Sequence, residues 1–443
     1  MVLKNKFHLS TFQIIILSFF ILIMTGTLLL MLPVSTAAGR GASFLDAMFT
    51  STSAVCVTGL VVRDTATYWS NFGKFVILVL IQIGGMGVVT VYIIMSALLE
   101  RKIGLRQRTI MQEAVSAAQI GGIVKFTYFI VKTVVITEVL GAILLFPTFF
   151  AEYGLLKGAA YSVFHSVSAF CNAGFDLMGD KGEFSSLTSY SGHISVNLTI
   201  IMLILMGGLG FGTLEDIKTD KLDFKKYRLQ SKLILAASVV LLVLPFIYFF
   251  FGEFDAYPIK ERILLSAFQT VTPRTAGFNT VDLTKLSESG IYMIIMLMLI
   301  GGATGSTAGG IKINTVAVLT MAAFSTFSRK KEAAAFNRRI ASEIIHSAST
   351  IFYIYVMAFV ISSLIISKTE GLPLLSCMFE TASAIATVGL SLGITTKLCL
   401  LSRCILMFLM FFGRVGGLTL IFAAVAKTET SEKKYPLEAV SVG

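Results

Sequence analysis

Residues 49–59 read FTSTSAVCVTG, and three later stretches repeat the pattern: FHSVSAFCNAG at 164–174, FQTVTPRTAG at 268–277 and FETASAIATVG at 379–389. In three copies the aromatic stands ten residues before the last glycine, with Ser53-Ala54, Ser168-Ala169 and Ser383-Ala384 at matching offsets. The third copy is one residue shorter and carries Thr272-Pro273 there. Gly59, Gly174, Gly277 and Gly389 lie 115, 103 and 112 residues apart, dividing the chain into units 1–110, 111–230, 231–340 and 341–443. A short helix ending in a small-residue turn, written four times, is what a single chain needs to surround one axis. The expectation is a pore.

Composition sets the environment. Of 443 residues 55% are hydrophobic and only 14% charged, a balance foreign to soluble domains of this size. Uncharged runs at 11–33, 75–99, 194–214, 233–252 and 344–367 are long enough to cross a bilayer, for which about 20 residues suffice. Three more, 126–151, 289–328 and 404–426, are interrupted only by Lys132 and Glu138, by Lys312 and by Arg414. The expected fold is an all-α polytopic membrane protein with eight transmembrane helices, two per unit. The first run exceeds the apolar core of a signal peptide and reads as a span.

Eight spans alternate the connections between two sides, and one side holds 21 of the 36 Lys and Arg, at 4–6, 101–125, 218–232, 329–339 and 427–434. The positive-inside rule places that side, and both termini, in the cytoplasm of a cell membrane. The net charge of +11 is explained by this bias, with attraction to anionic lipid in the bilayer as a by-product, and no basic domain suggests nucleic acid. The five cysteines have no metal or disulfide spacing and read as packing residues.

Between the two spans of each unit lies an apolar segment of 12 to 14 residues, at 43–55, 158–170, 260–271 and 372–385, too short to cross. Both of its neighbours reach the outer side, so it must enter the membrane and return as a re-entrant pore helix. The turns that follow supply the candidate filter: Val57, Thr58 and Gly59; Asn172, Ala173 and Gly174; Thr275, Ala276 and Gly277; Thr387, Val388 and Gly389. Irregular backbone at membrane depth is tolerated where it lines a water-filled cavity. Glycine reaches positive φ, which lets successive carbonyls point one way. Four such turns make rings of oxygens able to replace the hydration shell of a monovalent cation, and the helices aim their negative ends at the same place. No acidic residue stands in any turn, which favours carbonyl selection.

A second glycine motif recurs in each second span: GGMG at 84–87, GGLG at 207–210, GGATG at 301–305 and GRVGG at 413–417. Close packing of small residues explains three of them. The third continues to Gly310 and includes Gly301, Gly302, Gly305, Ser306, Thr307, Ala308, Gly309 and Gly310, within a run of 40 residues holding one charge. As continuous helix that run would measure about 60 Å, twice the hydrocarbon thickness. It is expected to break into a mid-membrane loop, a candidate gate, with Arg414 as the partner for its freed carbonyls. It is not a phosphate cradle, because Ile311 displaces Lys312 from the required register. His165 is expected to bond a neighbour, and Lys132 and Glu138, six apart, are poorly placed to pair.

With SAVCVTGL, SAFCNAGF, TPRTAGFN, TVGL, GSTAGGIK and GRVGGLT on the page, the chain resembles the Trk/Ktr/HKT superfamily of potassium transporters, and most of all the KtrB-type membrane subunit of bacterial Ktr systems. The resemblance covers essentially the whole chain. It implies four M1–P–M2 repeats around one pore, potassium as substrate, and filter glycines Gly59, Gly174, Gly277 and Gly389. It also implies a gating loop at 301–310 facing Arg414, sodium-stimulated uptake in a bacterial membrane, and a homodimer. The dimer would sit on a cytoplasmic RCK/KTN-type ring (KtrA/KtrC-like) that binds ATP or ADP, so no organic cofactor is expected on this chain. One departure from tetrameric potassium channels stands out: each turn has a single glycine followed by Leu60, Phe175, Phe278 or Leu390, so only part of a multi-ring filter can be built with the same geometry. Other readings are a coupled Na+/K+ carrier, an intramembrane enzyme, for which no suitably spaced constellation occurs, and a membrane anchor for a regulator, which needs no re-entrant turns.

Overall fold

The computed structural model describes residues 10–88, 112–113, 122–221, 223–330, 332–417, 419–420, 436 and 438. The basic groups at 4–6 and 427–434, most of that at 101–125, and the ends of the expected spans at 89–99 and 421–426 lie outside the described residues.

The described chain is dominated by helices arranged in a recurring order. Four long apolar helices come first in each stretch: Thr11–Leu30, Ile123–Phe170, Leu229–Tyr248 and Ser342–Glu370. Shorter helices follow at Phe44–Val55, Ile259–Val271 and Leu374–Ile385. In the second stretch the long and short helices run together, and only the non-helical backbone of Gly154 (φ 75°, ψ −175°) separates them. Glycine tolerates that conformation where other residues would not. Local chemistry starts the short helices where they start. Ser43 accepts from the Asp46 amide at 3.2 Å, while Pro258 and Pro373 carry fixed φ values that lead into the next two.

Inner helices complete the stretches: Asn71–Met86, Ile194–Gly208, Glu288–Leu299 and Leu400–Val415. They are shorter than the uninterrupted runs led one to expect. The runs 75–99, 194–214 and 404–426 all break at a glycine of positive φ, namely Gly87 (85°), Gly210 (83°) and Gly416 (93°). Beyond Gly210 the helix Phe211–Asp220 departs at 96°. Among the described residues, therefore, four helices are long and apolar enough to cross, or five if the bent pair is one span, against the eight expected. The other glycines of the motif explain the close approach. A Cβ on Gly84, Gly207 or Gly413 would strike the carbonyl oxygen of Val55, Phe170 or Ile385, the last helical residue of its own stretch's short helix. Between lipid-exposed helices such packing replaces the hydrophobic effect as the cohesive force.

The motif aromatics Phe49, Phe164, Phe268 and Phe379 are all buried. Each short helix also meets the inner helix of the preceding stretch, so that Leu400–Val415 packs on Phe44–Val55 and closes the circle. A two-residue hairpin, Ala334–Ala335 with Arg338–Arg339, lies in the connection before the fourth stretch.

Candidate functional site

The four glycine turns meet at one place. Gly59, Gly174, Gly277 and Gly389 have φ of 87°, 68°, 82° and 94°, and two residues earlier Val57, Asn172, Thr275 and Thr387 have φ of 57°, 58°, 70° and 53°. The residue between them is not in that region, so handedness alternates along each turn, and the carbonyl oxygens of Ala173, Ala276, Val388 and Thr58 each face the glycine of a neighbouring turn. The sequence signalled the glycine but not the earlier residue. A β-branched Val or Thr in left-handed backbone costs about 1–2 kcal/mol, strain of a kind that persists where the surrounding structure enforces it.

The motif serines do part of that enforcing. Ser53 and Ser383 hydroxyls accept from the amides of Gly59 and Gly389, both at 3.0 Å. Ser168 and Thr272 instead donate to the carbonyls of Phe175 and Phe278, both at 2.7 Å. The constant Ser-Ala offset was the signal for this role, and it went unread. Asn172 ties the second turn to the third, meeting Thr275 Oγ1 at 3.2 Å in either amide orientation.

The ring closes in chain order. A Cβ on Gly59 would lie 3.1 Å from Gly174 Cα, one on Gly174 3.1 Å from Gly277 Cα, one on Gly277 3.2 Å from Gly389 Cα, and one on Gly389 2.9 Å from Gly59 Cα. The four glycines and the carbonyls of Thr58, Ala173, Ala276 and Val388 that precede them thus belong to one constellation. Among the described residues, the turn hydroxyls Thr58 Oγ1 and Thr387 Oγ1 are buried without a hydrogen-bond partner.

All four glycines line the floor of a cavity of about 400 Å³, with Asp64, Asp176 and Asp282 among its walls. None of these acids was singled out from the sequence, although Asp64 and Asp282 both stand five residues beyond their glycine and Asp176 two beyond its own. Asp64 is spent on local structure, accepting from the amides of Ala66, Thr67 and Phe184. Burial pushes the Asp176 carboxyl up to about 7, against the pull of the Met178 amide. The Thr284 hydroxyl and amide hold Asp282 below the usual carboxylate range.

Below the turns, residues 300–312 form the expected loop between Glu288–Leu299 and Ile313–Phe327. Its neck is clamped by Gly301 N donating to Ile311 O at 2.8 Å and Ile313 N to Gly302 O at 3.0 Å. The broken helix of the second stretch supplies its other partners. Ala303 N donates to Gly208 O (2.9 Å), Thr307 N to Gly207 O (3.2 Å), and Phe211 N to Gly305 O (2.8 Å). Two breaks in regular structure thus satisfy one another, as buried backbone in a membrane requires. Thr307 Oγ1 reaches Phe170 O at 3.1 Å, and a Cβ on Gly310 would lie 3.1 Å from Ala386 Cα, so the loop lies directly against the second and fourth turns. Arg414 donates to the loop carbonyl of Thr307, and to Gly84 O and Gly85 O at 2.5 and 2.9 Å. It thereby joins the loop to the carboxy-terminal end of Asn71–Met86, where a cation is favoured. Ser306 bonds within the loop, Oγ to Ala303 O at 2.6 Å, and Lys312 Nζ turns back to Ala308 O at 2.5 Å. A second cavity, of about 190 Å³, opens on the loop's far side and is lined by Lys312 and Arg414.

Glu138 and His165 have structural partners. Glu138 accepts from Gln82 Nε2 at 3.2 Å and lies 3.8 Å from Cys171 Sγ, rather than pairing with Lys132. His165 bonds Tyr161 O and the Leu177 amide.

Residues 6–434 match the family described as TrkH, cation transport protein. The chain is 38% identical to the potassium/sodium uptake protein NtpJ of Enterococcus hirae, covering 98% of both chains. It is 38% identical to the Ktr system potassium uptake protein B of Bacillus subtilis, over 96% of this chain and 95% of that one. Its fold is similar to the crystal structure of the potassium transporter TrkH from Vibrio parahaemolyticus, with a TM-score of 0.74 at 19% identity, covering 96% of this chain and 87% of that one. By sequence over nearly its full length, this chain is a member of the TrkH family of cation transport proteins.

Proposed function

We propose that this chain is the pore-forming subunit of a potassium uptake system, built as four M1–P–M2 repeats at 1–110, 111–230, 231–340 and 341–443. The observation that carries the reading is the closed ring of four turns with alternating φ, which directs backbone oxygens at one axis. Potassium is the favoured substrate because the relatives from E. hirae and B. subtilis are named for its uptake. The outer cavity is the entry vestibule, the twelve turn residues are the filter, and the inner cavity is the exit.

Gly301, Gly302, Gly305, Ser306, Thr307, Ala308, Gly309 and Gly310 form the gate, and Arg414 is its latch. The loop lies between the two cavities, and the guanidinium adds a positive barrier to a cation. Opening requires that Arg414 release the Thr307 carbonyl. A cytoplasmic nucleotide-binding regulatory ring, of the RCK/KTN type, would supply the work, acting on a homodimer whose termini face it. A sodium effect, as activator or as a second transported ion, is supported by the name of the E. hirae relative.

The test is uptake of radiolabelled rubidium, a potassium surrogate, into a bacterium lacking its own potassium uptake, with and without a co-expressed regulatory subunit. Restored growth at low potassium and rubidium influx competed by potassium are expected. No influx, with the protein verified in the membrane alongside its regulator, refutes the reading.

A further inference from the structure

The second residue of each repeated motif is a different polar type, Thr50, His165, Gln269 and Glu380, and all four are buried. Two of them make the same connection. His165 Nε2 accepts from the amide of Leu177 at 3.3 Å, and Glu380 Oε1 accepts from the amide of Leu392 at 3.1 Å. Leu177 and Leu392 each stand three residues beyond their glycine, and both bridges span 12 residues, so they are one device written twice. Each runs from the short helix to the segment that leaves the turn, closing a loop with the turn at its apex.

The chemistry of each brace is complete. His165 Nδ1 lies 2.7 Å from Tyr161 O, to which it donates, leaving Nε2 as the acceptor that the Leu177 amide needs. Glu380 takes two further donors, Ser391 Oγ at 2.5 Å on Oε1 and Thr395 Oγ1 at 2.7 Å on Oε2. A carboxylate with three donors and no cation among its bonds is suited to holding backbone. At the other two positions the side chain makes no such bridge. Among the described residues, Thr50 Oγ1, Gln269 Oε1 and Gln269 Nε2 are buried without hydrogen-bond partners. Because the glycines touch in the order first, second, third, fourth, the braced turns stand diagonally across the ring.

We propose that Glu380 and His165 are positioning residues for cation discrimination, a diagonal pair of braces that hold the second and fourth turns in shape while the first and third turns lack them. This rests on the turns being the filter. Both braces act behind the ring: neither side chain lines the vestibule, while Leu392 and Ser391, which Glu380 holds, do. Stiffness thus has twofold symmetry inside a fourfold ring.

The experiment measures rubidium influx into proteoliposomes, and its inhibition by sodium, for the full chain and its variants. Glu380→Ala is expected to weaken discrimination of rubidium against sodium by about tenfold or more, the scale of one charge-assisted hydrogen bond, and His165→Ala by about fivefold, the scale of a neutral one, while cation flux continues. Glu380→Gln, which keeps an acceptor for the Leu392 amide, restores most of it. Thr50→Val and Gln269→Leu leave it within about twofold, since no bond is lost. Should Glu380→Ala fail to fold, Ser391→Ala with Thr395→Val removes two donors from the carboxylate and should shift discrimination the same way. Wild-type discrimination in a transporting Glu380→Ala or Ser391→Ala/Thr395→Val protein overturns the braces. An equal loss in Thr50→Val or Gln269→Leu overturns the diagonal asymmetry. Absence of any flux in the unaltered protein would instead strike at the filter reading itself.

Discussion

Gly174 offers the sharpest test of the turns as an oxygen ring. Alanine adds one methyl group, and at Gly174 it would be placed in backbone of φ 68°, 2.7 Å from the Ala276 carbonyl oxygen of the next turn. Left-handed backbone costs a non-glycine residue about 1–2 kcal/mol. Restoring ordinary contact means moving that oxygen from 2.7 to 3.4 Å, a retreat of about 0.7 Å. Asn172 bonds Thr275 Oγ1 in the same turn and resists the shift. The ring must therefore distort at two adjacent turns, and ion cages differing by tenths of an ångström are then no longer distinguished. Discrimination of potassium over sodium should fall by about tenfold, equivalent to about 1.4 kcal/mol, the lower part of the strain available. The assay is rubidium influx under increasing sodium in a potassium-uptake-deficient bacterium, with membrane abundance measured in parallel. A Gly174→Ala protein present at normal level with unchanged competition curves would refute the claim that these turns contact the ion. Gly59, Gly277 and Gly389 face their neighbours at still closer range and should be no more tolerant.

Other outcomes follow from the same geometry. Arg414→Ala removes three hydrogen bonds from a charged donor, so basal influx without the regulator should rise by about tenfold or more, while Arg414→Lys, a point charge lacking the fork, should fall between; stopped or unchanged flux in folded protein counts against the latch. Deleting part of 301–310 should likewise raise basal flux, measured in the same assay. Asp176, with its carboxyl raised to about 7, is charged above that pH and neutral below it. The apparent affinity for rubidium should therefore weaken as outside pH falls from about 8 to 6, and Asp176→Asn should flatten that profile at its weak end. Gly207→Leu places a side chain against the Phe170 carbonyl and should reduce the folded protein recovered in detergent, as judged by size-exclusion chromatography.

Much of this architecture is legible in one dimension because its signals are local. Low charge and long apolar runs reflect the cost of polar groups in hydrocarbon, which acts residue by residue, so residence in a membrane needs no tertiary knowledge. The motif at 49–59 and its copies announce a helix followed by a glycine turn, and the four glycines of those turns come together in one ring. The glycine-rich stretch at 301–310 announces a break, because five glycines, each costing about 1 kcal/mol relative to alanine, make a continuous helix costly there.

Contacts between distant segments decided the rest. An apolar span and an apolar helix that bends at Gly210 have the same composition, and only the loop amides taking up the Gly207 and Gly208 carbonyls make the bend affordable. The left-handed backbone at Val57, Asn172, Thr275 and Thr387 runs against intrinsic preference, so packing around the turns had to impose it. Arg414 reads as a buried charge in need of a partner. Which carbonyls it holds depended on a helix 330 residues away and a loop 107 residues away meeting at one point. Local free energy chose the elements, and the need to satisfy every buried polar group inside the bilayer chose how they close on one another.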